Sequence, residues 1–281
     1  MNAITLRAWE RRYGLIKPLR TESGHRLYTR VDIDKIHRIV ALLDKGIAVG
    51  QVRKALAAPR RARSEQGETE PGAGYVKSMI GAIRQFDENR LEDTYNEALA
   101  LYPLELVTRN ILVPLLTTLG ERWASAEGSV AEEHFFGVYL RNKLGARFHH
   151  RGRDNIGPRL LSACLPGERH DAGLLLFALA AHERGYRLVL LGADMPLTDL
   201  PVVVRRTRCA AIVLSGLMEP QRAVFDQELP QLVRTATVPV FVGGQISINA
   251  RDPIVAAGAE PLGTDIGVGL KRIANALGLA A

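Results

Sequence analysis

The chain has 281 residues, of which 47% are apolar and 24% charged, a length typical of about two domains and a composition typical of a globular protein. This composition excludes a wholly disordered chain, a collagen-like repeat and a small disulfide-stapled protein. The two cysteines, Cys164 and Cys209, form no CxxC pair, no apolar run approaches the ~20 residues of a membrane span, and no secretion signal begins the chain. We therefore expect a cytoplasmic protein without membrane contact.

The charge is concentrated at the N-terminus. Residues 1–63 hold 15 Lys and Arg against five Asp and Glu, a net of +10, whereas the whole chain carries +7. The remaining 218 residues therefore carry about −3. A basic head on a mildly acidic body indicates contact with a polyanion, and nucleic acid is the first candidate because Lys and Arg release phosphate counterions. A solvated charged face explains the charge alone equally well.

The composition divides the chain into a head, a linker, a helical part and an α/β part. Residues 1–57 form the basic head, and residues 58–75, which are rich in Pro, Gly and charge, read as a linker. Residues 76–152 show helical spacing and predict a four-helix-type bundle. One predicted helix carries an apolar stripe made of Leu104, Val107, Ile111, Leu115, Leu119 and Trp123.

A second helix of the bundle is predicted to begin at Ser129. Ser129 and Glu132 have the spacing of a capping box. The buried face of this helix is predicted to carry Phe136, Leu140, Leu144 and Phe148.

From residue 157 to 281, short apolar runs alternate with amphipathic segments. Five such strands with helical crossovers predict a doubly wound, flavodoxin-like parallel sheet. The expected fold class is therefore multi-domain, with α and α/β parts. Ligands of such sheets bind beyond the carboxyl ends of the strands.

The loops at those carboxyl ends carry one histidine among acidic and small residues. They contain Glu168, His170, Asp171 and Gly173 after the first strand, Ser215 and Leu217 after the third, and Gly243 and Gly244 after the fourth. Each fragment alone has a plainer explanation as a surface histidine, a helix cap or a turn. Together they predict a site in which the imidazole ligates a soft or borderline metal, a carboxylate fixes its tautomer and the glycines leave room for a ligand tail.

These fragments resemble the cobalamin-binding domain of the methionine synthase and methylmalonyl-CoA mutase type. That family shows Asp-x-His-x-x-Gly, then Ser-x-Leu, then Gly-Gly, and this chain matches all three with Glu168 in place of the first Asp. The resemblance implies a base-off binding mode, with His170 as the lower axial cobalt ligand. It also implies that the displaced nucleotide tail runs into the sheet.

The helical part resembles the bundle of the CarH/LitR family, which are cobalamin-dependent MerR-type repressors. Trp123 is followed ten residues later by Glu133 and then His134. The resemblance implies that these three residues close over the upper, adenosyl face of cobalamin, where a Trp stacks on a nucleoside and excludes water. Taken alone, Trp123 is more often a core residue.

The basic head resembles a MerR-type winged helix-turn-helix. Residues 4–13 are expected to form the recognition helix, with Leu6 and Trp9 pointing inward and the wing turning at residues 23–24. Recognition helices read the major groove of DNA, whereas wing contacts mostly set position. The expected DNA contacts are Arg7, Arg11 and Arg12 on the helix, and Arg20, His25, Arg26 and Tyr28 on the wing.

The sequence departs from this family at two points. The family has a strand and a helix before the recognition helix, whereas Met1 stands only a few residues ahead of it here. This predicts either a start further upstream or a weakened DNA-binding head.

The second departure is at Ala124, because light-sensing members carry a His directly after the bundle Trp. A methyl group cannot ligate cobalt, so the bis-His photoproduct is not expected at this position.

These motifs favour a cobalamin-dependent regulator that binds promoter DNA over an enzyme, and the resemblance implies repression. The resemblance implies adenosylcobalamin as the cofactor and assembly into dimers or tetramers. A corrinoid carrier for methyl transfer is the alternative, since it uses the same bundle and sheet, but it has no use for the basic wing. A fold that has lost its cofactor is a third interpretation, which the retained His170 and the Gly-Gly pair disfavour.

Overall fold

A computed structural model describes residues 3–21, 23–44, 47–57, 72–125, 127–150 and 155–279. These residues form two compact units, 1–136 and 137–281, and the boundary lies within one long helix. Within the described ranges, no helix is long and apolar enough to cross a membrane. Most of the predicted linker, 58–75, lies outside the described residues.

The N-terminal part of the first unit has the elements of a winged helix-turn-helix. These are α1 (Ala3–Arg11), the antiparallel pair β1 (Leu19–Arg20) and β2 (Arg26–Leu27), α2 (Arg30–Asp44) and α3 (Val49–Ala57). Gly24, with a φ of +83°, forms the turn between the two strands, a conformation that favours glycine. Before α2, the Thr29 Oγ1 accepts from the Asp32 backbone N–H at 3.2 Å while the Asp32 carboxylate accepts from the Thr29 N–H at 2.9 Å. This reciprocal pair fixes where α2 begins.

The rest of the first unit is helical. It contains α4 (Ala73–Arg84), α5 (Glu88–Leu101), α6 (Leu104–Val107), a π-helical turn over Thr108–Leu112, α7 (Val113–Ala124) and the start of α8 (Val130–His149). Helix α4 begins two residues before the predicted end of the linker. The Oγ of Ser129 accepts from the Glu132 N–H at 3.1 Å, so α8 is capped at the predicted residue.

The predicted apolar faces of both long segments are buried, with one exception. Leu104, Val107, Ile111, Leu115, Leu119, Phe136, Leu140, Leu144 and Phe148 all lie in the core. The exception is Trp123, whose surface is 49% exposed. The interpretation of Trp123 as the last residue of a core stripe is therefore wrong.

The recognition helix packs on the bundle within the first unit. Trp9 is fully buried, as predicted. Its indole Nε1–H donates to the carbonyl of Leu101 at 3.0 Å, and Leu101 is the last residue of α5. Thr5, also fully buried, donates to the Leu99 carbonyl at 3.4 Å. Leu6 is half-buried. Helix α5 therefore covers the apolar side of α1.

The second unit is a parallel sheet with helices on both faces. Its strands are β3 (Arg159–Cys164), β4 (Arg187–Gly192), β5 (Ala211–Ser215), β6 (Val240–Gly243) and β7 (Glu260–Gly263). Its helices are α9 (Ala172–Glu183), α10 (Leu200–Thr207), α11 (Leu229–Thr235), α12 (Ile246–Asn249), α13 (Arg251–Ala256) and α14 (Ile266–Ala276). The strand order β4-β3-β5-β6-β7 is that of a flavodoxin-like sheet, so the predicted fold class is confirmed.

Alternate residues of β3 face two different cores. Leu161 and Ala163 face the core built with α10, α11 and α13, whereas Leu160 faces the core built with α9 and α14. Both faces are apolar because helices cover both sides of a parallel sheet. The two ends of the sheet are left for loops, and the carboxyl end carries the predicted site.

Candidate cofactor site and DNA-binding surface

The carboxyl edge of the sheet ends in a row of small residues. The strand register aligns Cys164 with Ser215, Ser215 with Gly243, and Gly243 with Gly263. Gly173, in the first turn of α9, faces this row, since a Cβ placed on it would lie 3.9 Å from the Ser215 Oγ. The start of α9 therefore lies close to this row.

Glu168 joins two of the edge loops. Its Oε1 accepts from the His170 backbone N–H at 2.8 Å and lies 2.6 Å from the His170 Nδ1. Its Oε2 accepts from the backbone N–H groups of Leu217 and Met218, at 2.6 and 3.0 Å. One carboxylate therefore holds the histidine loop and the loop after β5 together.

The environment of Glu168 favours its charged form. Its side chain is almost completely buried, and burial by itself raises the pKa of the carboxyl. The hydrogen bonds that it accepts have the larger effect, so the pKa is lowered overall. The donors are the backbone N–H groups of Met218, His170 and Leu217 and the His170 ring. A carboxylate only accepts hydrogen bonds, so Nδ1 of His170 is the donor. In the neutral ring, Nε2 then carries the lone pair that a metal requires.

Asp171 makes an ion pair with an arginine of helix α8. Its Oδ1 accepts from the Arg141 Nε at 2.9 Å, and the same arginine is 3.5 Å from the Arg169 carbonyl. Glu168 is thus the carboxylate that contacts the His170 ring, whereas the charge of Asp171 is balanced by Arg141 of α8. Arg141 was not anticipated from sequence, since its partner lies 30 residues away.

The Gly-Gly pair makes a turn that other residues cannot fit. Gly244 has a φ of +85°, and a Cβ on it would lie 2.4 Å from the Gly216 carbonyl oxygen. Gly216 is itself enclosed by the side chains of Ile246 and Leu165. The two turns after β5 and β6 can therefore approach each other only through glycine. Beside them, Leu217 remains half-exposed at the edge.

The three residues predicted for the upper face lie at neighbouring helix ends in the first unit. Arg122, beside Trp123, donates to the Glu127 carbonyl at 2.8 Å and lies 3.7 Å from the Glu132 carboxylate. These contacts bring the end of α7 next to the start of α8. Trp123 and His134 are exposed and Glu133 is half-buried. The side chain of Ala124 lies outside the described set.

Most of the predicted DNA contacts are exposed. Arg7, Arg11, Arg12 and His25 have exposed side chains, and Tyr28 is half-buried.

The other two predicted contacts, Arg20 and Arg26, are bound to Glu10 of α1, at 3.0 and 2.6 Å. The hydrogen bond from Arg26 lowers the pKa of Glu10, so this carboxylate is charged and ties the wing to the recognition helix. The role of Glu10 was not predicted, because its contact with the wing is made only in the folded chain.

Comparisons with known proteins match both parts of the chain. Residues 1–59 match the MerR HTH family regulatory protein model, and residues 75–147 match a B12 binding domain model. The fold also resembles the monomethylamine corrinoid protein of Methanosarcina barkeri, with a TM-score of 0.60 over 72% of this chain and 98% of that chain. At 18% identity, this likeness concerns the fold alone.

Two relatives align over most of this chain. The HTH-type transcriptional repressor CarH of Myxococcus xanthus is 34% identical over 251 residues, 85% of this chain and 83% of the relative. The HTH-type transcriptional repressor CarA of the same organism is 31% identical over 256 residues, 90% of this chain and 84% of the relative. The chain thus belongs to the family of MerR-type transcriptional regulators with a B12 binding domain that includes CarH and CarA.

Proposed function

We propose that this protein is a transcriptional repressor that binds adenosylcobalamin and promoter DNA, and that it works as a dimer or tetramer. The observation that carries the cofactor assignment is His170, about half exposed at the carboxyl edge with its Nδ1 held 2.6 Å from Glu168. When bound, cobalamin would be held by His170 through its cobalt and would supply a light-sensitive bond between cobalt and carbon. Family membership and the basic head support the DNA assignment.

The residues present fit cobalamin. A buried, charged Glu168 fixes the tautomer that leaves Nε2 as the ligating nitrogen. The row of small residues from Cys164 to Gly263 keeps large side chains away from this edge of the sheet. No group of three or more His, Cys, Asp or Glu in the described part of the chain is arranged to hold a bare metal ion. One histidine at an open edge suits a metal that arrives in its own macrocycle.

The first unit supplies the proposed upper face. Trp123, with half its surface exposed, provides an indole face for an adenosyl group, and Glu133 and His134 provide hydrogen-bonding groups for ribose and base. Because Ala124 stands where light-sensing relatives have a histidine, the side chain at this position cannot ligate cobalt. Light would then act only by removing the adenosyl contacts.

The test of the cofactor site is the absorption spectrum of purified protein with cobalamin. His170→Ala should weaken cobalamin retention and shift the spectrum from the His-ligated form toward that of the free cofactor. His150→Ala is the matched control, because His150 is exposed and lies on no edge loop. An unchanged His-ligated spectrum in His170→Ala would refute the assignment.

The adenosyl preference is tested separately. Trp123→Ala should reduce the preference for adenosylcobalamin over hydroxocobalamin, measured by calorimetry, and leave hydroxocobalamin binding nearly unchanged. The same preference in parent and variant would show that Trp123 makes no contact with the upper ligand.

A further inference from the structure

A pair of opposite charges with little exposure joins the end of α7 to the start of α8. Arg122 lies 3.7 Å from the Glu132 carboxylate, and the two side chains are only 18% and 15% exposed. The Arg122 Nε and the Glu132 Oε2 are both buried, and neither atom has a hydrogen-bond partner among the described residues. Buried polar atoms in folded proteins are nearly always paired, so this arrangement needs an explanation.

Stability does not explain why the two charges are kept at this place. Removing two charges from water costs free energy, and their attraction offsets that cost only where good hydrogen bonds complete the pair. At 3.7 Å, Arg122 and Glu132 are too far apart for such a bond. Two apolar side chains of similar size would bury as much surface and leave no polar atom unpaired. The pair therefore matters for the geometry that it imposes on the two helix ends.

Arg122 also holds the connection between the two helices. Its carbonyl accepts from the backbone N–H groups of Glu127 and Gly128, both at 2.9 Å, and its guanidinium donates to the Glu127 carbonyl at 2.8 Å. A Cβ placed on Gly128 would lie 3.2 Å from the Arg122 Cβ and 3.2 Å from the Glu132 Oε2. The connection thus packs closely against the pair, and Arg122 fixes the end of α7 relative to the start of α8.

We propose that this pair is a positioning device, which sets the distance between Trp123 and Glu133 and thereby selects an upper ligand of adenosyl size. The inference rests on the proposed cobalamin site. Trp123 follows Arg122 in the last turn of α7, and Glu133 follows Glu132 in the first turn of α8. Aromatic rings attract each other over centroid separations of about 4.5–7 Å, so a shift of the helix ends weakens stacking on an adenine. A hydroxide ligand makes no such contact.

The test compares the affinities for adenosylcobalamin and hydroxocobalamin by calorimetry. Glu132→Gln keeps the size of the side chain and removes its charge, so the preference for adenosylcobalamin should fall by about threefold to tenfold, the range for one lost polar contact. Arg122→Met keeps the apolar stem and removes every side-chain donor, so its loss of preference should be at least as large. Both variants should bind hydroxocobalamin as the parent does, which also shows that they are folded.

Glu127→Gln is the matched control, since the Glu127 carboxylate lies 4.0 Å from the same arginine but is 71% exposed. The close contact of Glu127 with Arg122 is made by backbone atoms, which the substitution leaves in place. This variant should therefore keep the adenosyl preference of the parent.

Two results would overturn the assignment. An unchanged adenosyl preference in Glu132→Gln and Arg122→Met would make the pair a packing feature, and equal losses for the two cofactors would show a general disturbance of the bundle. Failure of the proposed function looks different, because the parent protein would then bind neither cofactor.

Discussion

At the scale of single residues, two carboxylates three positions apart show how burial determines the contribution of a charged group to stability. Glu168 is 3% exposed and accepts four hydrogen bonds, from one ring nitrogen and three backbone N–H groups. Asp171 makes an ion pair with Arg141, whose side chain is about half exposed. Water screens the second pair and competes for it, whereas the partners of Glu168 have no replacement.

This difference predicts unequal losses of stability. Glu168→Gln leaves buried donors facing an amide that can accept at one atom only, so the free energy of unfolding should fall by about 2–3 kcal/mol. Arg141→Ala, the control in the same region, should cost less than about 1 kcal/mol. Urea denaturation followed by far-UV circular dichroism measures both. Equal losses in the two variants would contradict the argument.

The lowered pKa of Glu168 also predicts a pH dependence. Because the folded-state pKa lies below the ordinary value of 4.5, the charged form stabilises the folded state fully above that value and loses this contribution as pH falls through the folded-state pKa. The stability difference between parent and Glu168→Gln should therefore be constant near neutral pH and shrink below about pH 4.5.

The comparison with the variant is required because the pKa values of Glu10 and Asp32 are also lowered, by hydrogen bonds from Arg26 and Thr29 respectively. Their contributions cancel in the difference between the two proteins. Denaturant unfolding at a series of pH values gives the curve. A difference that stays constant down to pH 3 would show that Glu168 is not the responsible group.

At the scale of elements, the contact of α1 with α5 joins the DNA-binding part to the helical part of the first unit. The indole of Trp9 is fully buried and donates to a carbonyl at the end of α5, where the last carbonyls of a helix lack partners within that helix. The same helix α1 presents Arg7 and Arg11 to solvent. One side of this short helix therefore packs in the core, and the other side carries the arginines expected to contact DNA.

Trp9→Phe tests this contact. The variant loses the hydrogen bond to the Leu101 carbonyl and part of the ring volume, so the free energy of unfolding should fall by about 1–2 kcal/mol. Arg7→Ala on the exposed side of the same helix is the control and should change stability by less than about 0.5 kcal/mol. Thermal unfolding followed by circular dichroism compares the two. A variant as stable as the control would mean that the α1–α5 contact contributes nothing.

At the scale of the whole molecule, the charge asymmetry separates the two proposed ligands. The net +10 of residues 1–63 lies with the expected DNA contacts, whereas the rest of the chain carries about −3. This negative charge lies in residues 64–156, which hold 10 Lys and Arg against 14 Asp and Glu, whereas the α/β part is close to neutral. The basic head is therefore the part of the chain that attracts a polyanion. Because Glu10 binds Arg20 and Arg26, we expect the phosphate contacts to come mainly from the arginines of α1.

DNA binding should therefore depend steeply on salt. Contact with 6–10 phosphates predicts a loss of about 10³–10⁵ in affinity for a mixed-sequence duplex between 50 and 200 mM salt. Arg11→Ala should reduce the slope of log affinity against log salt by about 1. Arg205→Ala, an exposed cation of the second unit, should leave the slope unchanged. Fluorescence anisotropy measures all three, and a flat salt dependence in the parent would contradict a phosphate-based interface.

The sequence by itself determined the features that depend on local patterns. Period-3.6 apolar spacing gave the helices of the bundle, the cap at Ser129 and the buried face of α8. Alternation of short apolar runs with helices gave the five parallel strands, and strand polarity then placed His170, Ser215 and Gly243 at one edge. These follow from geometry that every helix and parallel sheet shares.

Only the tertiary structure decided which distant groups meet. The pairing of Asp171 with Arg141, the capture of two wing arginines by Glu10 and the cover of Trp9 by α5 join residues up to 92 positions apart. Periodicity alone also predicted a core position for Trp123, which is half exposed in the structure. An apolar stripe shows the spacing of residues along one helix, but not which of them a neighbouring helix covers. Local propensity fixes elements, but hydrogen-bond partners across a fold depend on how those elements pack.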